Sequence, residues 1–124
     1  MKLNPLAFDD VSVLNNRLLE LTSEKSKVIA NNIANAETPG YTRFSYEYEK
    51  SLKSAVESGN TGAVENTTGK MEKDDSGPRR LDGNNVVAPK EMMEYTENSI
   101  LRNLLMKTFS TRISILKSAI SGRV

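Results

Sequence analysis

The groups in this chain that could do chemistry are amides and carboxylates. Asn31, Asn32 and Asn35 cluster at the end of a helical stretch, and Asp74, Asp75, Asp82 and Asn84 gather oxygen donors further on. A carboxamide donates and accepts at once, so such a row can tie together backbone, neighbouring side chains or another subunit. Asn is a mediocre helix former, which means the row is not there for helix strength. It reads either as a polar, frayed last turn or as a line of amides bonded to a neighbouring subunit. The aspartates invite a calcium reading. That reading needs the order Asp-x-Asn-x-Asn-Gly with a bidentate Glu after it, which is absent, so no metal is assigned. The chain has no His and no Cys. That excludes imidazole acid–base chemistry, thiol nucleophiles, disulfides and Cys/His zinc sites. No glycine-rich phosphate loop or dinucleotide fingerprint is present, so the sequence indicates no enzyme and no cofactor.

The totals point the same way. The 124 residues are one domain's worth, with 37% hydrophobic and 6% aromatic residues. This is thin material for a compact core, so either part of the chain is disordered or burial happens between chains. Seventeen basic residues against sixteen acidic leave a net charge of +1, which argues against a general nucleic-acid binder. The first ten residues carry one Lys and no apolar run before Asp9 and Asp10, unlike a secretory signal. No stretch approaches the roughly 18 apolar residues of a membrane span.

Two long helical patterns must position everything else. Residues 1–8 read as an arm whose Leu3, Leu6 and Phe8 staple onto the first helix or dock elsewhere. From residue 9 to 36 the pattern is helical, with Asp9, Asp10 or Ser12 as caps. Val11, Leu14, Leu18 and Leu21 follow heptad spacing, Lys25 interrupts it, and Val28 and Asn32 continue it with Ile29 and Ile33 beside them. Pro39 and Gly40 then stop the helix, reading as the centre of a type II turn. Phe44, Tyr46 and Tyr48 alternate with Ser45, Glu47 and Glu49, which predicts a short extended segment. Residues 50–58 suit a short helix with Leu52 and Val56 on one side. Residues 58–85 are rich in Gly, Asn, Thr and charge and predict a mobile loop or a small exposed excursion, with Arg79 and Arg80 as a solvated pair. A second long helix is predicted over 89–121, opened by Pro89 and stopped by Gly122. Its apolar stripe holds Ile100, Leu101, Leu104, Leu105, Phe109, Ile113, Leu116 and Ile120. Glu91, Glu94 and Glu97 come early in it and Arg102, Lys107, Arg112 and Lys117 late, complementing the helix dipole.

The expected fold is therefore a single, mainly α chain. Its long N- and C-terminal amphipathic helices pair as a coiled-coil hairpin, with residues 37–88 forming a turn, an extended segment and a flexible polar middle. Each stripe is wider than one seam, so a hairpin leaves apolar surface for packing against other chains.

The run Asn31-Asn32-Ile33-Ala34-Asn35-Ala36-Glu37-Thr38-Pro39-Gly40-Tyr41 resembles the N-terminal signature of the axial proteins of the bacterial flagellum. Asp82-Gly83-Asn84-Asn85-Val86, Lys90-Glu91-Met92 and Leu116-Lys117-Ser118-Ala119-Ile120 are similar to the rod proteins at the proximal end of that axis. An Ala-Tyr-x-Ala-Asn type of sequence, which marks other rod proteins, is missing. The resemblance covers both ends and leaves the middle unmatched, and Val87-Ala88-Pro89 stands where an acidic helix cap is expected. It implies a structural subunit of the basal-body rod, exported through the flagellum's own type III apparatus without a cleaved signal. The implied location is the rod, in the periplasmic space where an outer membrane is present. Implied partners are further copies, other rod proteins, the junction protein FliE and the export gate. On this reading Leu14, Leu18, Leu21, Leu101, Leu105, Ile113 and Leu116 pack helices during assembly. Asn32, Asn35, Pro39, Gly40 and Tyr41 form the turn and inter-subunit motif.

Two other classes fit parts of the pattern. One is a small helical adaptor or export chaperone that is never built into a filament. The other is a surface-active helix over residues 100–117, which Glu91, Glu94, Glu97 and the lack of Trp disfavour.

Overall fold

The computed structural model describes residues 8–122. The elements are α1 (Phe8–Ala34), β1 (Phe44–Glu47), α2 (Glu49–Glu57), α3 (Thr61–Glu65), β2 (Lys70–Lys73) and α4 (Ala88–Ser121). The chain is mainly helical, and α1 and α4 pack along each other. The expected arm at Leu3 and Leu6 lies outside the described residues, and Phe8 opens α1. The long helices begin and end within two residues of expectation, and no described helix is long and apolar enough to cross a membrane.

The pairing of α1 and α4 is antiparallel. Asn15 meets Leu105, Thr22 and Ser26 meet Asn98, and Asn32 meets Glu91. Their seam is more polar than the heptad leucines suggest. Asn98 Nδ2 donates to the Thr22 carbonyl and to Ser26 Oγ, each at 2.7 Å. Asn15 Nδ2 donates to the Leu105 carbonyl at 3.3 Å. Asn15, Thr22, Ser26 and Asn98 are all buried, with Ile29 beside them. Buried polar groups are tolerated here because they are hydrogen-bonded.

Leu14, Leu18 and Leu21 have a different use from the one their spacing suggests. They pack with Tyr48, Leu52, Ala55 and Val64, the side chains that α2 and α3 bring against α1. A helix offers several faces, and residues one position apart point about 100° away from each other. The leucines therefore face the middle of the chain while Asn15, Thr22 and Ser26 face α4. Leu21, the one of the three that is buried, contributes about 1.5–3 kcal/mol, and the partly buried Leu14 and Leu18 contribute less.

The middle segment is not the bare loop that its composition predicts. Asn60 caps α3, its Oδ1 accepting from the N–H groups of Gly62 at 2.9 Å and Ala63 at 3.3 Å. Val64 is fully buried and anchors α3 on α1. In α2, Leu52 and Ala55 face inward, whereas Val56, expected beside Leu52, is exposed. β2 pairs antiparallel with β1 in the register Phe44↔Lys73, Ser45↔Glu72, Tyr46↔Met71 and Glu47↔Lys70. The last pair sets opposite charges across the ladder. Composition missed these elements because one apolar anchor and a few side-chain caps hold them, not a periodic pattern.

Gly69, just before β2, has no room for a side chain. A Cβ there would sit 2.0 Å from the Tyr46 ring. Gly69→Ala is expected to displace that ring and cost about 1–3 kcal/mol. Urea unfolding gives the loss, and a changed Tyr46 ring resonance shows its origin. An unmoved ring with unchanged stability would contradict the close packing.

α4 starts without a side-chain cap. Val87 holds the N-cap position in extended geometry, with Pro89 in the first turn and Glu91 after it. Proline suits that turn because the missing N–H has no helical partner there. Gly122 closes α4 with φ at +72°, in the left-handed region that glycine enters cheaply.

Candidate functional site

Where the end of α1, the start of β1 and the first turns of α4 meet, the polar side chains form one connected knot. Its centre is Asn32, 0% exposed. Asn32 Oδ1 accepts from the Phe44 N–H at 2.9 Å, and Asn32 Nδ2 donates to the Phe44 carbonyl at 2.8 Å. The side-chain amide thus takes the place of a neighbouring strand for the first residue of β1. The Tyr41 hydroxyl donates to Asn32 Oδ1 at 3.0 Å and accepts from Asn31 Nδ2 at 3.0 Å. The Tyr41 ring meets Phe44 edge to face, with centroids 6.3 Å apart. Burial pushes the Tyr41 phenol above its ordinary value, partly offset by the bond from Asn31.

Asn32 Nδ2 also lies 3.3 Å from Glu91 Oε2. Glu91 is a carboxylate only 1% exposed, and its counter-ion is Arg43, whose Nε donates to Oε1 at 2.5 Å. The same guanidinium bonds Asp74 and lies 3.7 Å from Glu94. Burial works against the Arg43 charge, but the bond and charge of Glu91, then the charge of Glu94 and the bond to Asp74, outweigh that and raise its affinity for the proton. A planar guanidinium with several donors suits this multi-sided role better than an ammonium.

A second layer fixes the Pro39-Gly40 turn. The Tyr41 N–H donates to the Thr38 carbonyl at 3.3 Å, and Gly40 has φ +72°, as the type II reading requires. Asn84, also fully buried, donates from Nδ2 to the carbonyls of Asn35 and Thr38, each at 2.9 Å. Those carbonyls also accept from the Thr38 and Tyr41 N–H groups, so Asn84 adds a second bond to each and locks the turn that follows α1. Gly83 packs against the same turn. A Cβ on it would lie 3.3 Å from the Gly40 Cα, and Gly83 has φ +84°. Arg80 bonds the carbonyls of Ala36 and Val86, and Arg79 reaches the Gly83 carbonyl and Thr42 Oγ1. Neither arginine is the solvated bystander that its loop setting predicts.

The amide row therefore divides. Asn32 is spent inside the chain. Asn35 is half-buried and bonds the Asn31 carbonyl and Thr38 Oγ1. Pro39 and Gly40 are exposed on the outside of the turn. The oxygen donors of the calcium reading also separate. Asp74 serves Arg43 and Ser76, Asp82 Oδ1 accepts from the Asn84 N–H, and Asn84 caps α1. Among the described residues no group of three or more His, Cys, Asp or Glu could hold a metal ion.

Two carboxylates tie stability to pH. The Ser76 N–H and hydroxyl, helped by Arg43 and opposed by burial, hold Asp74 below its ordinary value of 3.8. Burial opposes the Glu49 charge, but the Tyr48 and Glu49 N–H groups and Lys25 outweigh it, so Glu49 is lowered as well. A group lowered on folding contributes stability that is fully present above its unfolded value and lost as pH falls through the lowered one. The melting temperature is expected to hold from neutral pH down to about 5 and to fall below about 4. Melts of Asp74→Asn across that window should show a shallower fall. A slope unchanged from the parent chain would exclude Asp74 as a contributor.

The residues predicted for helix packing fall into three settings. Leu14, Leu18 and Leu21 face the middle segment. Leu101, Leu105 and Ile113 are half-buried on the side of α4 that carries Asn98. Leu116 and Ile120 continue that side but are exposed, at 42% and 78%, since the register carries them past Phe8 at the start of α1. A second apolar line runs down the opposite side of α4. Met93, Ile100, Leu104 and Ile115 point away from α1 and are 59–64% exposed. Helical periodicity alone merges the two lines into one broad stripe. Arg43, Glu91, Asn84 and Asn85, whose Oδ1 accepts from the Arg43 N–H at 2.7 Å, carry the knot, a role that the sequence does not assign to them. The one signal that could have found them was Asn84-Asn85 just ahead of a helix start, a position where side-chain amides commonly satisfy backbone.

Comparison with known proteins points to one family. Residues 19–42, the stretch from the middle of α1 through the Pro39-Gly40 turn, match the family described as Flagella basal body rod protein. Over 130 aligned positions the chain is 26% identical to a flagellar basal body rod protein FlgB of Aeromonas hydrophila. That alignment covers 94% of this chain and 97% of the relative.

Proposed function

We propose that this chain, a flagellar basal-body rod protein of the FlgB type, is built into the proximal rod as a structural subunit linking the export apparatus and membrane ring to the distal rod. The observation that carries this reading is the second apolar line of α4. One side of the helix is used by α1, and the line through Met93, Ile100, Leu104 and Ile115 is left open. Exposed apolar side chains that recur on one helix face, here with Glu97, Thr108 and Thr111 between them, mark a packing surface for further helices. Copies of this chain and other rod proteins would supply them, with FliE and the export gate at the base. The knot at the turn keeps the hairpin in one shape, so every copy offers the same surface. Asn35, Pro39, Gly40 and Tyr41 sit at the turn end of the hairpin, where a neighbouring subunit can meet them. The basal-body rod, reached through the flagellar export route without a cleaved signal, is the matching location.

The test is immunodetection of the chain in purified hook–basal bodies beside the cytosolic fraction of the same cells. Stoichiometric presence in the basal bodies is expected. Absence there, with all of the protein in the cytosol, would replace the rod reading with that of an adaptor or export chaperone. A second check is Leu105→Asp, which places a charge in the half-buried seam of α4. It is expected to abolish rod assembly and swimming in soft agar. Normal rods from that variant would refute this packing.

A further inference from the structure

The β1–β2 ribbon has an open edge that is chemically selective. β2 is an edge strand and all four of its residues are exposed. The Asp74 N–H donates to the Arg43 carbonyl at 2.9 Å, and the Asn85 amide bridges the Arg43 N–H and the Asp74 carbonyl, so Arg43 and Asp74 occupy a hydrogen-bonded position of the ladder. Hydrogen-bonded and non-bonded pairs alternate along an antiparallel ladder. Phe44↔Lys73 and Tyr46↔Met71 are then the non-bonded pairs, consistent with Phe44 giving both backbone groups to Asn32. The N–H and C=O of Met71 and Lys73 therefore point away from β1. Among the described residues nothing is bonded to them.

We propose that this edge pairs with β2 of a second copy of the chain, antiparallel about a two-fold axis, with Met71 opposite Met71. Backbone parity and charge together select that arrangement. Outward-pointing groups sit on Met71 and Lys73, so only registers that place odd-numbered residues opposite odd-numbered residues form bonds. The neighbouring registers set Lys70 against Lys70, or Glu72 against Glu72, and like charges directly opposite are destabilising. With Met71 on the axis, Lys70 of each copy faces Glu72 of the other, twice over. These are non-bonded pairs, in which side chains approach most closely. Lysine on a strand edge ordinarily blocks such pairing. Here Lys70 and Glu72 already lie 2.8 Å apart within the strand, as one compact and self-complementary charge pair. Met71, 57% exposed in the single chain, is covered in the pair. The contact is isologous and closes at two copies. It is thus a state of the chain outside a polar rod, and it caps an edge that would otherwise template open-ended pairing. It rests on the sheet alone and is independent of the rod reading.

Because the chain has no cysteine, Met71→Cys gives a cross-link without background. Bonded partners across a ladder have Cα atoms about 5.5 Å apart, within disulfide range. Under mild oxidation M71C is expected to form dimers about ten-fold faster than L81C, a fully exposed position that reports random collision. Adding E72K to M71C, or K70E together with E47K to keep the β1 pair, should drop each chain alone to the L81C rate. An equimolar mixture of the two should restore it, since one edge is then basic and the other acidic at both positions flanking the axis. Circular dichroism melts verify that each variant is folded. Equal rates for M71C and L81C, or a mixture of folded variants that stays slow, would overturn the proposal.

Discussion

Asn32→Ala is expected to lower the unfolding free energy by about 3–5 kcal/mol, a large share of the roughly 5–15 kcal/mol that a domain possesses. The side chain is fully buried and satisfies both backbone groups of Phe44, so its removal leaves a donor and an acceptor dry and unpaired. Each such group costs about 1–3 kcal/mol. The Tyr41 hydroxyl loses its acceptor at the same time. Asn32→Asp separates these effects. It keeps the acceptor for Phe44, loses the donor and sets a second carboxylate beside Glu91. Its penalty is expected to shrink as pH falls, because protonation relieves the repulsion. Urea unfolding at two pH values measures both. A loss below about 1 kcal/mol for Asn32→Ala would mean that water replaces the amide at no cost, and the knot would not be what joins α1 to β1.

Arg43→Met should be comparably damaging, at about 3–5 kcal/mol, because it strands a buried charge. Glu91 is 1% exposed, and its close ion-pair partner is the Arg43 guanidinium. The cost comes from the uncompensated carboxylate more than from the lost attraction, so removing both partners should cost less than removing one. In a double-mutant cycle, Arg43→Met with Glu91→Met is expected to recover much of the single loss. Additive losses would show that the two side chains act independently. The same cycle bears on the segment that leads into α4, since Arg43 also holds Asp74.

Together the two substitutions address a polar joint in a chain with little apolar material. With 37% hydrophobic residues, the shape of the hairpin end depends on amides and one buried ion pair. Such a joint has narrow geometric tolerance, because hydrogen bonds weaken steeply with misalignment while apolar contacts are non-directional. Under the proposed rod function, that suits a repeating subunit, in which a small error in hairpin angle would accumulate along the assembly.

The order of residues is enough to specify the two long helices to within two residues, the type II turn at Pro39-Gly40 and a period-two extended segment from Phe44, although the strand ends at Glu47 and the alternating Tyr48 and Glu49 belong to the start of α2. Each is a local consequence of side-chain period, proline geometry or glycine freedom, so it can be read from neighbours in the chain. The run from Asn31 to Tyr41 also stands out by composition, and it overlaps the stretch matching the rod family. Other features emerge only in three dimensions. Leu14, Leu18 and Leu21 face α2 and α3, Asn32 turns inward, and α4 carries two apolar lines. Residues 58–85 hold α3 and β2 in place of an open loop. The reason is the same in each case. Periodicity tells which residues share a face but not which partner that face meets. A polar side chain far along the chain, such as Arg43, Glu91 or Asn84, reveals its role only when folding brings its partner within hydrogen-bond reach.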